Sequence, residues 1–366
     1  MNELERERQY LYLLNCLPQI TNRKISQMYE ASGSFEQAYE RESSEYKALG
    51  IFRDKTFEFE TRRSEKERLL YAYEGFLDRG IRLVSFMDED YPKRLRGLPD
   101  APLLLYVRGR LPREEEPMAS VIGSRSPSGY GLHAAGFISG ELSHRGAVII
   151  SGMALGIDSC SQRKALKEGY KSFAILGGGV DKCYPRESRD IYELMCDGQG
   201  GVISEFPPWT EPDSWRFVSR NRIIAGLSDA VIVAEARKKS GTSITVDYAL
   251  SYGREVFAVP HRLCDTFGEG CNALIRDGAH ILCDMEELYA VLGLSGIKKG
   301  RKGKEKGPEL ASFEKIVYSW LDFNERHVEE IAELSGLTLR ETELALFKLS
   351  LKGLAYAPQA SYYRKA

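Results

Sequence analysis

Apolar residues follow two different patterns along this chain, and the change between them divides it. Up to about residue 80, apolar side chains such as Leu11 and Leu14 recur three or four positions apart, which is the spacing of one helix face. From Ile81 onward, short continuous apolar runs alternate with segments long enough for a helix; the runs are IRLVSF, LLLYV, MASVIG, GAVIISG, SFAILGGG, GGVISEF, DAVIVAEA and REVFAVP. Strands that are apolar on both faces are typical of a parallel sheet covered by helices. Residues 81–293 are therefore predicted to form an extended Rossmann-like, doubly wound α/β domain.

The N-terminal segment, residues 1–80, is predicted to form short helices around a polar turn. This arrangement resembles SAM-like and helix-hairpin-helix modules, although Gln19-Ile20-Thr21 stands where the hairpin glycine is usual. A purely structural helical cap is the alternative interpretation of the same pattern.

The C-terminal part of the chain begins with a basic segment. Residues 294–309 include six lysines and arginines between 298 and 306, interrupted by glycines, and predict a flexible linker. Residues 310–366 predict three amphipathic helices and a β-hairpin, in the order of a winged helix. Its presumed reading helix carries Glu341 and Glu343 beside Arg340, so we expect it to contact protein rather than duplex DNA.

Composition narrows the class of protein. Of 366 residues, 43% are hydrophobic and 28% charged, which is typical of a globular protein. The chain has neither an apolar run of membrane-spanning length nor a signal-peptide pattern, so we expect a cytoplasmic protein with no membrane partner. Seven scattered cysteines without a CxxC pair predict reduced thiols and no metal site. The net charge of −2 argues against a surface coated with positive charge, but it permits a local basic groove.

Glycine-rich loops follow three of the predicted strands. In an open α/β sheet, ligands bind beyond the carboxyl ends of the strands. Glycine allows the backbone to approach a ligand closely, and free N–H groups at a helix start bind anions. The loops therefore predict a phosphate-binding site formed by Gly123, Ser124 and Arg125; by Ser151, Gly152, Met153 and Ala154; and by Gly177 and Gly178.

Two further segments add side chains suited to a nucleic acid. The first supplies Phe217, Arg220, Asn221 and Arg222, and the second Lys239, Ser240, Gly241 and Thr242. Arginines offer planar donors for phosphate, and a phenylalanine ring offers a face for a base. The alternatives are that Phe217 is a core residue and that one arginine pairs with Glu205 or Asp229. Ser240 or Thr242 is also expected to cap the following helix.

The patterns that would indicate an enzyme or a cofactor site do not occur. The sequence has no GxGxxG with an acid about twenty residues further on, and no GxxxxGK[ST]. It also has no His-based nucleophile arrangement and no cluster of metal ligands. We therefore expect no catalytic residue, no metal and no cofactor.

Six stretches of the sequence together point to one family: GSRSPSGYG, SGMALGID, AILGGGVDKCYP, ISEFPP, RNRIIAGLSDAVIVAEARKKSGTSIT and GCNALIRDGA. In these stretches the chain resembles the DNA-processing protein A family, also called DprA or Smf. The resemblance implies a single-stranded DNA-binding homodimer. It also implies loading of a RecA-type recombinase during DNA recombination in natural transformation, the uptake of DNA by competent cells.

The resemblance also implies roles for individual residues. Arg125 is the arginine of the GSR motif, Arg220 and Arg222 are those of the RNR motif, and Phe217 is the aromatic residue that stacks a base. The chain departs from the family's usual residues at Gln162, His261 and Ser243.

Two other functions are compatible with parts of the sequence. A nucleotide phosphoribohydrolase-like enzyme has the same architecture, and Glu205 or Glu235 would be its base, although the PGGxGT loop of such enzymes is absent here. An interaction module without a ligand is the third possibility, which the GSR and RNR segments disfavour.

Overall fold

The computed structural model describes residues 2–17, 20–52, 63–297, 310–322 and 325–365. These residues form two compact units, one within residues 1–126 and 134–299 and the other within 127–133 and 300–366. Most of the predicted basic linker, residues 298–309, and Gln19 of the predicted hairpin lie outside the described residues.

Short helices form the N-terminal part of the first unit. They are α1 (Glu3–Asn15), α2 (Asn22–Ser32), α3 (Phe35–Glu40), α4 (Ser43–Ala48) and α5 (Lys66–Glu74), followed by a 3-10 turn, Leu77–Arg79. The Asn2, Thr21 and Ser34 side chains each accept a hydrogen bond from a backbone N–H of the helix that follows. Apolar faces of these helices share one buried cluster with Tyr106 of the sheet. The proposed boundary at residue 80 therefore divides segments that pack together.

The sheet of this unit has nine strands among the described residues. They are β1 (Ile81–Ser85), β2 (Leu104–Gly109), β3 (Met118–Gly123), β4 (Val148–Ser151), β5 (Ser172–Ile175), β6 (Gly200–Ser204), β7 (Ala230–Glu235), β8 (Glu255–Ala258) and β9 (His280–Ile281). The helices that follow α5 are α6 (Lys93–Arg96), α7 (Gly129–His144), α8 (Ile157–Lys167), α9 (Arg189–Leu194), α10 (Ser214–Leu227), α11 (Thr242–Ser251), α12 (Glu269–Arg276) and α13 (Glu286–Val291). The predicted α/β class with a large central sheet is confirmed.

The order of the strands creates a ligand-binding position. The sheet reads β1-β2-β6-β5-β4-β3-β7-β8-β9, and β3 to β9 pair in parallel while β1 and β2 are antiparallel to their neighbours. From β3 the chain adds strands on one side as far as β6 and then returns to place β7 on the other side. Such a reversal opens a crevice at the carboxyl ends of the two central strands. All six residues of β7 are buried, which explains its continuous apolar sequence.

The second unit has its own small core. Its C-terminal part contains α14 (Ser312–Trp320), β10 (Arg326–His327), α15 (Val328–Ser335), α16 (Leu339–Leu351), β11 (Ala355–Gln359) and β12 (Tyr362–Lys365). Val317, Ile331, Leu346 and Leu349 are buried together, and the three strands form a sheet in the order β10-β12-β11. In the described parts of both units, no helix is long and apolar enough to span a membrane.

Candidate nucleic-acid interface

A cavity of about 630 Å³ opens where the strand order reverses, beyond the carboxyl ends of β3 and β7. We call it the switch-point cavity. The predicted site residues that line it are Gly123, Ser124, Arg125, Ala154, Phe217, Arg220, Asn221, Lys239, Ser240, Gly241 and Thr242. Three loops and the helix α10, which are far apart in sequence, thus meet at one place.

An aromatic pair forms one wall of this cavity. Phe217, in the first turn of α10, stacks on Tyr184 with a centroid distance of 5.7 Å and an angle of 17° between the rings. Tyr184 is 50% exposed, so a flat ligand can reach this pair. Sequence reasoning missed Tyr184, although an aromatic residue in the polar loop after β5 was a usable signal.

Exposed cations stand beside the aromatic pair. The guanidinium of Arg125 lies 5.6 Å from the centre of the Phe217 ring. Arg125 and Lys239 are both exposed, and neither forms an ion pair with another described residue. Their charges are therefore available to an anionic ligand.

Arg220 is a buried cation at the base of the cavity. Its Nη1 donates to the carbonyl oxygens of Gly152, at 2.9 Å, and of Ile175, and its Nε donates to Asn221 Oδ1 at 3.1 Å. Burial lowers the pKa of Arg220 to about 10, against the opposing effect of the buried Asp158 carboxyl group. Arg220 is therefore still protonated at neutral pH, and it joins the loop after β4 to the end of β5.

Six predicted residues lie outside the lining of the switch-point cavity: Ser151, Gly152, Met153, Gly177, Gly178 and Arg222. Two of the glycines make room for residues that do line it. A Cβ at Gly152 would lie 2.4 Å from the Arg220 guanidinium, and one at Gly177 would lie 2.7 Å from Cδ1 of Phe217. These glycines therefore position the ligand-facing side chains by allowing close packing.

Ser151 and Met153 are held beneath the cavity by buried hydrogen bonds. Ser151 Oγ donates to the Val121 carbonyl at 3.0 Å, and the Met153 N–H donates to Gln162 Oε1 at 3.1 Å. Gln162 also donates to the Phe173 carbonyl at 2.9 Å, so this departure from the family's usual residue has a structural role.

Arg222 takes part in a buried ion pair instead. Its Nη2 binds Glu205 Oε2, which also accepts a hydrogen bond from Asn22 Nδ2 at 3.0 Å. Burial raises the pKa of Glu205, and the nearby Arg222 opposes that rise. Neither Glu205 nor Glu235 lines the switch-point cavity, so neither is placed to act there as the base of a hydrolase.

The loop after β7 closes the other side of the cavity. Ser240 Oγ accepts a hydrogen bond from the N–H of Thr242, the first residue of α11, at 3.2 Å. The two hydroxyl oxygens lie 2.8 Å apart. Ser240 thus satisfies one N–H at the start of α11 while its loop presents Lys239 to the cavity.

The fold and this cavity define an open α/β protein with a cationic, aromatic-lined ligand site at its switch point. Groups of His, Cys, Asp and Glu that could hold a metal ion are absent from the described part of the chain. The chain belongs to the DNA recombination-mediator protein A family, whose model matches residues 82–293. This family consists of recombination mediators and not of enzymes.

Individual relatives agree with this membership. The chain is 35% identical to the DNA processing protein DprA of Bacillus subtilis, over 62% of this chain and 75% of the relative. It is 33% identical to the protein Smf of Escherichia coli, over 77% of each. Among solved structures, DprA from Streptococcus pneumoniae is similar with a TM-score of 0.67 and 31% identity, over 78% of this chain and 97% of that one.

A second solved structure describes the unique single-stranded DNA binding mode of DNA processing protein A from Helicobacter pylori. It is similar to this chain with a TM-score of 0.51 and 29% identity, over 58% of this chain and 95% of that one.

Proposed function

We propose that this chain binds single-stranded DNA in the switch-point cavity and acts there as a recombination mediator. The observation behind this proposal is the combination of two exposed cations, Arg125 and Lys239, which have no ion-pair partner among the described residues, with the accessible Phe217–Tyr184 pair. Phosphates would bind the cations and the N–H groups of the loops, and a base would stack on the ring of Phe217 or Tyr184.

This combination favours a single strand over a duplex. The bases of a duplex are stacked on one another, so an aromatic wall inside a cavity reaches only an unpaired base. The net charge of −2 also fits a local contact better than a broad basic surface. The similar protein from Helicobacter pylori, with its single-stranded DNA binding mode, supports the same choice.

We further propose that the bound strand is handed to a RecA-type recombinase, in the cytoplasm and in the course of DNA uptake or natural transformation. A homodimer formed through the α/β domain is part of this proposal. The C-terminal segment, which has the helix and hairpin order of a winged helix, would contact protein. The loading step is tested by the rate at which a recombinase assembles on oligonucleotides coated with single-strand-binding protein. We expect assembly to be faster when this chain is present.

Removal of the Arg125 guanidinium tests the binding site. We expect Arg125→Ala to weaken binding of a labelled oligo(dT) about tenfold or more, because one charge-assisted contact is lost. The dependence of log affinity on log salt should also become shallower by about 0.7, the contribution of one phosphate of a single strand. Fluorescence anisotropy across a salt series measures both quantities.

Arg276→Ala is the matched control, since Arg276 is exposed, pairs with the adjacent Asp277 and lies outside the cavity. Its affinity should equal that of the wild type. Equal affinity of the wild type for oligo(dT) and for a duplex of the same length would contradict the proposed function. An unchanged affinity of Arg125→Ala would contradict the proposed site.

A further inference from the structure

We propose that a second cavity, on the other side of α10, binds a further stretch of the same single strand. This inference rests on the proposed function. The second cavity has a volume of about 1190 Å³ and lies between the first residues of α2 and the segment that joins β6 to α10. Its lining includes Arg23, Phe206, Trp209, Trp215 and Arg216.

The aromatic residues of the second cavity are unusually accessible. Trp215 is 55% exposed and Trp209 39% exposed, and they are two of only three tryptophans in the chain. Phe206 supports Trp215 edge to face, at 5.7 Å and 85°. Large rings that are held in place yet open to solvent are the stacking platforms on which proteins bind unpaired bases.

Trp209 is presented to the cavity by a strained backbone. Its φ of 66° lies in the left-handed region, which bulky residues rarely adopt. A hydrogen bond from its N–H to Asp181 Oδ1, at 2.9 Å, holds this conformation, and its ring packs 6.1 Å from that of Phe76. Strained residues of this kind cluster at ligand sites, where the surrounding structure holds them in a conformation that they would otherwise rarely adopt.

The acidic side chains around the second cavity already have partners. Arg222 binds Glu205 through its Nη2, and its Nε lies 3.7 Å from Asp100 Oδ2. Glu211 binds Lys182. These acids are therefore at least partly neutralised toward an approaching phosphate.

Two arginines of the second cavity remain available to an anion. Arg23 is exposed and has no ion-pair partner within the described residues. The Arg216 guanidinium lies 4.7 Å from the centre of the Trp215 ring, and its Nη1 donates to the Glu211 carbonyl oxygen at 2.7 Å. These contacts hold a cation in the lining of the cavity, where a phosphate can approach it beside a ring on which a base can stack.

The start of α10 connects the two cavities. Ser214 and Phe217 line the switch-point cavity, whereas Trp215, Arg216 and Ser219 line the second one. A helix with its side chains is only about 10–12 Å wide, so a strand that passes the end of α10 crosses from one cavity to the other within a few nucleotides. One strand can therefore occupy both cavities, with its bases stacked on Phe217 and on Trp215.

The fluorescence of Trp209 and Trp215 tests this inference. In the full chain carrying Trp320→Phe, all tryptophan emission comes from the second cavity. An oligo(dT) of about 16 nucleotides should quench this emission, whereas one of about 4, long enough only for the switch-point cavity, should bind with little quenching. The double variant Trp215→Ala/Arg216→Ala should weaken binding of the long oligonucleotide by about fivefold or more, and leave the affinity for the short one unchanged.

The outcomes separate the two proposals. If labelled oligonucleotides of both lengths fail to bind, the proposed function is wrong and the second cavity has no strand to hold. Suppose that the long oligonucleotide binds but does not quench the tryptophan emission, and that the double variant binds it with the affinity of the wild type. In that case only the proposal for the second cavity is refuted. Far-ultraviolet circular dichroism of the double variant, expected to match the wild type because both side chains are partly or largely exposed, excludes misfolding.

Discussion

At the scale of single residues, Arg220 and Arg222 show how two similar side chains acquire different roles. They lie two positions apart on α10, and a helix turns by roughly 200° over two residues, so they face opposite sides. Arg220 faces the switch-point cavity and the carbonyl groups beneath it, and Arg222 faces Glu205. The sequence predicts both as DNA ligands, and the geometry of one helix places Arg220 in the lining of the switch-point cavity and Arg222, with its buried ion pair, in the lining of the second cavity.

Arg222→Ala should therefore reduce stability. We expect the free energy of unfolding to fall by about 3–5 kcal/mol, because the substitution leaves the buried Glu205 carboxylate without its partner. Urea denaturation followed by circular dichroism measures the loss for the first unit. The double variant Glu205→Gln/Arg222→Met should lose less, since neither charge remains buried. A loss below about 1 kcal/mol for Arg222→Ala would show that the pair is not a stabilising element.

Residue type and position in the loops predicted most of the switch-point lining. Arg125, Phe217 and Lys239 follow strands or open a helix, and such positions converge at one edge of a parallel sheet. The roles of Gly152 and Gly177 could not be predicted from the sequence, because these glycines leave space for the side chains of Arg220 and Phe217. That requirement arises from contacts between segments far apart in the chain.

At the scale of elements, the sheet shows what an apolar pattern can and cannot indicate. Each strand from β3 to β7 is buried on both faces, so its apolar run predicts a covered sheet. The same kind of run in β1 and β2 gives no sign that these strands pair antiparallel. Strand direction depends on the connections between strands and not on the apolarity of the strand itself.

An ion pair joins α8 to α9 and allows a test of the packing between them. Arg163 binds Asp190 with two hydrogen bonds, Nε to Oδ2 at 2.6 Å and Nη2 to Oδ1 at 2.7 Å. The Arg163 hydrogen bonds lower the pKa of Asp190. The stability that this pair contributes is thus present above the ordinary aspartate pKa of about 3.9 and is lost as pH falls through the lowered pKa.

Asp190→Asn should therefore destabilise the protein in a pH-dependent way. At neutral pH the loss should be about 0.5–1 kcal/mol, because the pair is partly exposed and screened by solvent. Urea midpoints of variant and wild type, compared at decreasing pH, should converge below the ordinary aspartate pKa. A difference that is the same at every pH would mean that shape and not charge makes Asp190 stabilising.

At the scale of the whole molecule, the net charge of the chain and the charge at its candidate site differ. The net charge is −2, yet Arg125 and Lys239 stand together at the switch point with no described acid paired to them. Composition alone therefore does not predict the partner; the positions of the cations relative to the strand ends do. The C-terminal unit has a separate core, which is consistent with a second role in the same molecule.

Photocrosslinking tests the central claim most directly, since it locates the strand on the full chain without any substitution. An oligo(dT) carrying a single photoreactive thymidine is bound, irradiated and digested together with the protein, and the modified residues are identified by mass spectrometry. We expect adducts at Phe217 or Tyr184 and in the loop at Lys239, and their loss in the presence of excess unlabelled single strand but not of duplex. Adducts confined to residues 310–365, or equal competition by duplex, would contradict a single-strand site at the switch point.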